Sequence, residues 1–111
     1  MEKTEDKIQS EIVLYHNNQN LQGLLFAVPN GGFRKSAEAA KMTATGTKAG
    51  APDLVLLLNG KFIGIEVKTP IGVQSPKQKT FESAIIANGG TYFIVRSLPD
   101  FLVLYSRFLT P

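Results

Sequence analysis

The sequence predicts an α/β fold in which a mixed sheet is flanked by helices. A helical pattern opens the chain, apolar strands joined by an Asn-Gly turn occupy its middle, and a second helical pattern precedes a further strand. At 111 residues, with 43% hydrophobic and 19% charged residues, the chain has the length and composition of one globular domain spanning residues 1–111.

The first half of the chain predicts a helix, a short strand and a loop. Residues 4–18 place Ile8, Ile12 and Tyr15 on one helical side. Residues 24–28 form a short apolar strand that ends at Pro29 and the Asn30-Gly31-Gly32 turn signal. The glycine-punctuated basic segment that follows contains a short helical pattern from Ser36 to Met42.

The second half predicts a hairpin, two helices and a strand. Residues 54–58 are apolar without alternation, which is typical of a strand buried on both faces, whereas residues 61–68 alternate. A helix over residues 75–88 and a strand over 91–95 follow. The helix over 99–109 carries an apolar side that forms either core or a dimer surface, with Phe101, Leu104, Tyr105 and Phe108.

The hairpin turn Asn59-Gly60 sets a register that brings two carboxylates together. If Leu58 lies opposite Lys61, Asp53 lies opposite Glu66. Facing carboxylates repel each other, and a hard divalent cation such as Mg²⁺ is the natural ligand to neutralise them. Lys68 shares that face and can orient a water or a phosphate. The alternative is a hairpin whose charges only mark the strand ends.

Two further polar residues each have a structural and a functional interpretation. Glu11 falls between Ile8 and Ile12 on the apolar side of the first helix, as a boundary residue or as a third metal ligand. Gln78 closes a capping box with Ser75. The same helix start also offers Lys77 and Lys79 to a bound phosphate, and Gln78 to the site.

Charge is concentrated in the middle of the chain. Residues 30–80 hold eight cationic residues against three acidic ones, although the net charge of the whole chain is only +3. The cationic residues are Arg34, Lys35, Lys41, Lys48, Lys61, Lys68, Lys77 and Lys79. This basic segment surrounds the acidic pair and favours a polyanionic partner such as nucleic acid.

Several functional classes are disfavoured. No apolar run approaches a membrane span, and no signal-peptide pattern opens the chain. The absence of cysteine removes disulfide and thiolate chemistry and fits a reducing compartment, so we expect a cytoplasmic protein. The single histidine, His16, lies in a polar run and is expected to be solvated, which disfavours Ser/His/Asp chemistry.

The motifs resemble those of a known family. Pro52-Asp53, followed after twelve residues by Glu66-Val67-Lys68, resembles the PD-(D/E)XK nuclease superfamily. The fuller ordered set resembles the virus-type replication–repair nuclease (VRR-NUC) family: Glu11, Asn30-Gly31-Gly32 with Arg34, Gly50-Ala51-Pro52-Asp53-Leu54, and Ser75-Pro76-Lys77-Gln78. The resemblance implies a restriction-endonuclease-like αβββαβ core and a compact stand-alone form of prokaryotic, phage or viral origin.

The resemblance also implies an activity and residue roles. It implies a DNA endonuclease that depends on Mg²⁺, with Mn²⁺ able to substitute. The implied metal ligands are Asp53, Glu66, the backbone carbonyl of Val67, and Glu11 to complete or support the shell. Lys68 would activate the attacking water, and Gln78 would support the site. The implied DNA contacts are Arg34, Lys35, Lys48, Lys77 and Lys79.

By analogy of size, the resemblance implies a homodimeric Holliday-junction resolvase, since two cuts in a four-way junction need two related sites. The alternatives are a nuclease of flaps or linear DNA, a non-cleaving DNA-binding module, and a regulatory or structural domain without a nucleic acid partner. Metal-dependent cleavage and salt-sensitive DNA binding distinguish these hypotheses.

Overall fold

The computed structural model describes residues 3–29 and 36–109, with the side chain of Ser36 excepted. Its elements follow the predicted order: α1 (Glu5–Asn18), β1 (Leu24–Ala27), α2 (Ser36–Ala44), β2 (Leu54–Leu58), β3 (Lys61–Val67), α3 (Pro76–Ala87), β4 (Thr91–Val95) and α4 (Leu98–Phe108). The predicted Asn30-Gly31-Gly32 turn lies outside the described residues. No described helix is long and apolar enough to cross a membrane.

The four strands form one mixed sheet in the order β1-β2-β3-β4. The first three strands are antiparallel neighbours, whereas β3 and β4 are parallel. Parallel strands need a crossover connection, and α3 supplies it here. The predicted α/β fold with helices around a mixed sheet is therefore confirmed.

The β2–β3 register is the predicted one. Leu58 pairs with Lys61 and Leu54 with Ile65. Asn59 and Gly60 have φ values of +51° and +77°, the left-handed conformation that a two-residue hairpin turn requires and that these residue types tolerate. Because side chains alternate along a strand, this register assigns every residue of the hairpin to a face.

One face of the sheet carries the main core beneath α1 and α4. It buries alternate strand residues together with helix residues at spacings of three and four, namely Ile8, Ile12, Leu54, Leu56, Leu58, Ile63, Ile65, Val67, Val95, Phe101, Leu104 and Tyr105. The apolar side of α4 is thus core. The alternative that it forms a dimer surface is wrong for Phe101 and Tyr105, which are fully buried or nearly so.

The opposite face is covered only in part. Helix α3 packs over β3 and β4, where Ile85 approaches Gly64. Beyond α3, Leu57 is 45% exposed, so the prediction that β2 is buried on both faces is wrong at this position. Leu57 pairs with Leu24 on one side and Phe62 on the other, and both neighbours are also exposed.

His16 corrects a second expectation. It is buried rather than solvated, because the end of α1 packs against α4 and places its ring edge-to-face with Tyr105, 6.2 Å between ring centroids. Its Nε2 is 3.1 Å from the backbone oxygen of Gln22. The polar neighbours of His16 in the sequence gave no signal of this packing.

Candidate active site

The carboxylate of Asp53 is fixed at the point where β2 begins and β3 ends. Its Oδ2 accepts a hydrogen bond of 2.7 Å from the backbone N–H of Val67. The backbone oxygen of Asp53 also accepts a hydrogen bond from the backbone N–H of Val28, at 2.9 Å. Two strands therefore hold this residue, and the confirmed register directs it toward Glu66 on the α3 face.

Glu66 is a buried carboxylate whose two oxygens both accept hydrogen bonds. It is only 1% exposed. Its Oε1 accepts from the hydroxyl of Tyr92 at 3.1 Å, and its Oε2 accepts from Nε2 of Gln78 at 2.7 Å. The ammonium of Lys68 lies 3.9 Å from Oε2. A buried carboxylate needs such partners, and here they also determine its orientation.

The surroundings of Glu66 favour its neutral form in the protein without a bound cation. Burial raises the pKa of Glu66 to about 8, and the neighbouring Asp53 carboxylate contributes by repulsion and by a hydrogen bond. Tyr92 and Lys68 oppose this shift. Two carboxylates held this close together can share a proton or bind a divalent cation in its place. The oxygen ligands of Asp53 and Glu66 therefore fit Mg²⁺ or Mn²⁺.

Gln78 combines the two roles that the sequence left open. Its Oε1 accepts a hydrogen bond from the backbone N–H of Ser75 at 2.8 Å, while its own backbone N–H donates to the Ser75 hydroxyl. This is the predicted capping box at the start of α3. Because its amide nitrogen simultaneously donates to Glu66, the same side chain connects the helix start to the carboxylate pair.

Tyr92 is a residue of the candidate site that sequence reasoning missed. It lies on β4 opposite Gly64, and its ring packs where any side chain on Gly64 would reach it. Burial raises the pKa of Tyr92 far above its ordinary value, so its hydroxyl remains a hydrogen-bond donor to Glu66. The available signal was the glycine within β3, because a glycine inside a strand often marks a close approach.

The cationic residues predicted from the sequence do not all lie at one place in the structure. Lys68 is buried, at 9% exposure, beside Glu66. Lys48 and Lys77 line one depression of about 390 Å³ at the start of α3, and Lys79 is exposed two residues after Lys77. Arg34 and Lys35 lie outside the described residues, so their contact with DNA stays a prediction.

Glu11 is not brought to the carboxylate pair. Its carboxylate forms an ion pair with the ammonium of Lys3, at 2.9 Å, and lines a cavity of about 600 Å³ that also includes Pro70 and Arg96. Within residues 3–29 and 36–109, no three acidic, histidine or cysteine side chains are grouped to hold a metal. The role of Glu11 as a ligand therefore stays a prediction.

The architecture combines an acidic pair at the adjoining ends of two antiparallel strands with a helix that crosses to a parallel fourth strand. Among solved structures, one described as a "VRR_NUC domain protein" has a TM-score of 0.80 at 21% identity, covering 97% of this chain and 89% of its own. A second, described as a "VRR_NUC domain", has a TM-score of 0.66 at 20% identity, covering 96% and 99%.

No family model and no curated protein matches the chain. The similarity to the two solved structures covers nearly the whole of each chain, and at this level of identity it establishes the fold. The chain therefore has the fold of the VRR_NUC domain proteins, and the resemblance found in the sequence is confirmed at the level of the fold.

Proposed function

We propose that this protein is a divalent-metal-dependent endonuclease that hydrolyses phosphodiester bonds in branched DNA. The observation that carries the proposal is the convergence of Asp53, Glu66, Lys68 and Gln78 at one end of the sheet. Because one fold can host many functions, the argument rests on this constellation rather than on the fold alone.

In this proposal, Asp53, Glu66 and the backbone carbonyl of Val67 hold Mg²⁺ or Mn²⁺, and Glu11 completes or supports the shell once its ion pair with Lys3 is released. When bound, the ion supplies positive charge for the developing phosphate charge and acidifies a bound water. The raised pKa of Glu66 supports the assignment, since burial first and repulsion from Asp53 second disfavour the Glu66 carboxylate unless a cation neutralises it. Lys68 alone approaches Glu66 as a cation within the described residues, at 3.9 Å.

The chain's own side chains then orient the reactants. Lys68 keeps its ammonium beside Glu66 and places fixed positive charge where an attacking water loses its proton. Gln78 and the Val67 N–H hold the two carboxylates, so that little reorganisation is needed when substrate binds. His16, whose Nε2 lies beside the Gln22 backbone oxygen, belongs to the α1–α4 core and has no part in this chemistry.

DNA binding in this proposal begins with phosphate contacts. Lys48 and Lys77 line one depression at the N-terminus of α3, where the helix dipole adds to their charge. Lys79, Arg34 and Lys35 complete the proposed basic surface. Each phosphate neutralised by these side chains releases counterions, so binding weakens steeply as salt rises.

The finer part of the proposal is a homodimer that resolves four-way junctions. A two-fold dimer supplies two sites related in the same way as the two strands to be cut. Since the apolar side of α4 is buried in the core, we assign the dimer surface to the uncovered sheet row of Leu24, Leu57 and Phe62. Exposed apolar patches of this kind are typical of protein interfaces.

The test is a cleavage assay with end-labelled four-way junction, flap, single-stranded and linear duplex DNA in Mg²⁺, Mn²⁺ or EDTA. We expect paired symmetric cuts in the junction, lost with EDTA and in the Asp53→Asn and Lys68→Ala variants. Lys61→Ala is the matched control, because Lys61 is an exposed lysine at the start of β3, the strand that Lys68 follows.

Other outcomes redirect the proposal. Cleavage of flaps or linear DNA instead of junctions would retain the nuclease and reject the resolvase. Junction binding without any cleavage by the wild-type protein would indicate a non-cleaving DNA-binding module. Sedimentation of Phe62→Ser beside the wild-type protein checks the proposed dimer surface.

A further inference from the structure

The segment that follows Lys68 forms a β-turn beside the active site. The backbone N–H of Gly72 donates to the oxygen of Thr69 at 3.0 Å. Proline at the second position and glycine at the fourth are the preferred residues for such a turn. We refer to residues 69–73 as the 69–73 turn.

The 69–73 turn presents apolar side chains to solvent. Ile71 is 77% exposed and Val73 is 78% exposed, the two highest values among the exposed large hydrophobic side chains of the described residues. Pro70 between Thr69 and Ile71 is exposed as well. We call Pro70, Ile71 and Val73 the apolar tip. Exposed apolar side chains clustered at a turn bury little surface on folding and so add little to the stability of the fold. Their clustering indicates that they serve an interaction.

The apolar tip is held rigidly rather than hanging from a free loop. One guanidinium nitrogen of Arg96, Nη1, donates to the backbone oxygens of Thr69 at 2.6 Å and Gly72 at 2.8 Å. Directly after the turn, Nε2 of Gln74 donates to Oε1 of Glu82 on α3 at 3.0 Å. The apolar tip is therefore already ordered in the folded protein, so no conformational entropy is lost in ordering it on binding.

The turn also contacts the proposed catalytic lysine. A Cβ placed on Gly72 would lie 3.4 Å from Cδ of Lys68, so the turn packs against the aliphatic part of that side chain. Gly72 stands between Ile71 and Val73 in the sequence. Any surface that receives these two side chains is thereby held at a fixed position relative to the Lys68 ammonium.

We propose that the apolar tip is a wedge that enters the opened base stack at the branch point of DNA and thereby presents the neighbouring phosphodiester to Lys68. This proposal rests on the proposed nuclease function and assigns it a substrate-selecting element. Aliphatic and proline side chains inserted between bases partially unstack them, which is energetically unfavourable in paired DNA. At a branch point stacking is already interrupted, so the tip enters branched DNA more readily than linear duplex.

The charges around the tip favour nucleic acid as its occupant. The 69–73 turn itself contains no acidic residue. Cationic side chains contact the turn: Nη1 of Arg96 donates to the backbone oxygens of Thr69 and Gly72. Cδ of Lys68 would lie 3.4 Å from a Cβ on Gly72. An apolar tip with cations nearby matches DNA, whose bases are apolar faces flanked by phosphates.

The experiment compares Ile71→Ser/Val73→Ser with the wild-type protein in binding to a four-way junction and to a linear duplex of the same sequence. Both DNAs carry 2-aminopurine, at the branch point or at the equivalent base pair, and Ca²⁺ replaces Mg²⁺ so that binding is observed alone. Val103→Ser is the matched control, because Val103 is also exposed, at 57%, but lies on α4.

We expect the double variant to lose roughly tenfold in junction affinity, because the apolar area buried against bases is removed. Its duplex affinity should stay within about twofold of the wild-type value, since phosphate contacts are retained. The rise in 2-aminopurine fluorescence that the wild-type protein causes at the branch point should be lost in the double variant and kept in Val103→Ser.

Three results would overturn the wedge: equal loss of affinity for junction and duplex, unchanged junction affinity, or no fluorescence rise with the wild-type protein. Loss of self-association in the double variant, with DNA binding intact, would overturn it in favour of a contact between copies. A cleavage assay on the same DNAs in Mg²⁺ distinguishes failure of the wedge proposal from failure of the nuclease proposal. Tip-dependent junction binding without cleavage retains the wedge and rejects the nuclease, whereas cleavage with unchanged junction preference does the reverse.

Discussion

The hydroxyl of Tyr92 donates a hydrogen bond to Oε1 of Glu66 across 3.1 Å, inside the face of the sheet that α3 covers. The parallel β3–β4 register creates this relationship, because Tyr92 pairs with Gly64, two residues before Glu66 on the same face. With Gln78 on the second oxygen, Glu66 is held from both sides. The position of a proposed metal ligand thus depends on a strand that carries no motif residue.

Replacing Tyr92 by phenylalanine tests whether this hydrogen bond positions Glu66. We expect Tyr92→Phe to raise the Mg²⁺ or Mn²⁺ concentration for half-maximal cleavage about ten- to a hundredfold, as for other hydrogen-bond partners of metal ligands. Direct Mn²⁺ binding, measured by calorimetry without DNA, should weaken in parallel. High metal concentration should restore much of the activity.

Tyr105→Phe is the matched control for this variant. Tyr105 is equally buried, but its hydroxyl donates to the backbone oxygen of Gln22, among the α1–α4 core. Each substitution should lower the free energy of unfolding by about 1 kcal/mol. Equal metal dependence in the two variants would mean that Tyr92 has only a structural role.

The raised pKa of Glu66 predicts how the stability of the metal-free protein depends on pH. The unfolded chain releases the Glu66 proton near 4.5, whereas the folded protein retains it to about 8. Between these values the folded state binds more protons, so the free energy of unfolding falls as pH rises. The contribution is full below about 4.5 and is lost as pH passes about 8.

The Glu66→Gln variant removes this dependence, because glutamine stays neutral. In EDTA we expect it to exceed the wild-type protein in free energy of unfolding by about 1–3 kcal/mol at pH 8 and to match it below pH 4.5. Denaturant titrations at several pH values measure the difference. Added Mg²⁺ should stabilise only the wild-type protein at pH 8, and a pH-independent difference in EDTA would contradict the assignment.

The fold was predictable from the sequence where local signals and periodicity agree. Asn59-Gly60 gave the hairpin and its register, and the Ser75-Pro76 start gave α3. The burial of individual residues was harder to predict from the sequence, because it depends on which helix lies over which strand. The exposure of Leu57 follows from the limited extent of α3, and the burial of His16 follows from the crossing of α1 and α4.

In the candidate site too, residues fixed by local sequence signals were predictable and residues placed by tertiary packing were not. Asp53, Glu66 and Lys68 were predictable because they belong to one hairpin, whose register fixes their faces. Tyr92 lies 28 positions after Gly64, on a parallel strand whose register no turn specifies, so only the three-dimensional structure identifies it. The apolar tip was missed because isolated Ile and Val residues in a loop have no periodicity to interpret.

Gln78 offers a way to separate helix capping from support of the site. Glutamate is the other usual capping-box residue, so Gln78→Glu should keep the α3 cap, and its loss of stability should come only from repulsion between the new carboxylate and Glu66. It loses the donor to Glu66 and adds a third negative charge, so cleavage should fall about ten- to a hundredfold. Gln78→Ala should lose both, with an additional cost of about 1 kcal/mol in stability. Equal activity of Gln78→Glu and the wild-type protein would assign Gln78 to capping alone.

The backbone of Gly50 lies against the start of α3, so we predict that the loop before β2 fixes the position of that helix. The φ of Gly50 is +88°, and a Cβ there would contact the carbonyl of Lys77, 2.6 Å from its carbon, at the helix start that carries Gln78. Gly46 has a φ of +109° but open space around it, so Gly46→Ala should cost only backbone strain, about 1 kcal/mol. Gly50→Ala should cost about 2–4 kcal/mol and lower cleavage as well, because α3 must move away from Glu66. Thermal unfolding and cleavage rates of the two variants measure this, and equal behaviour would show that α3 tolerates the displacement.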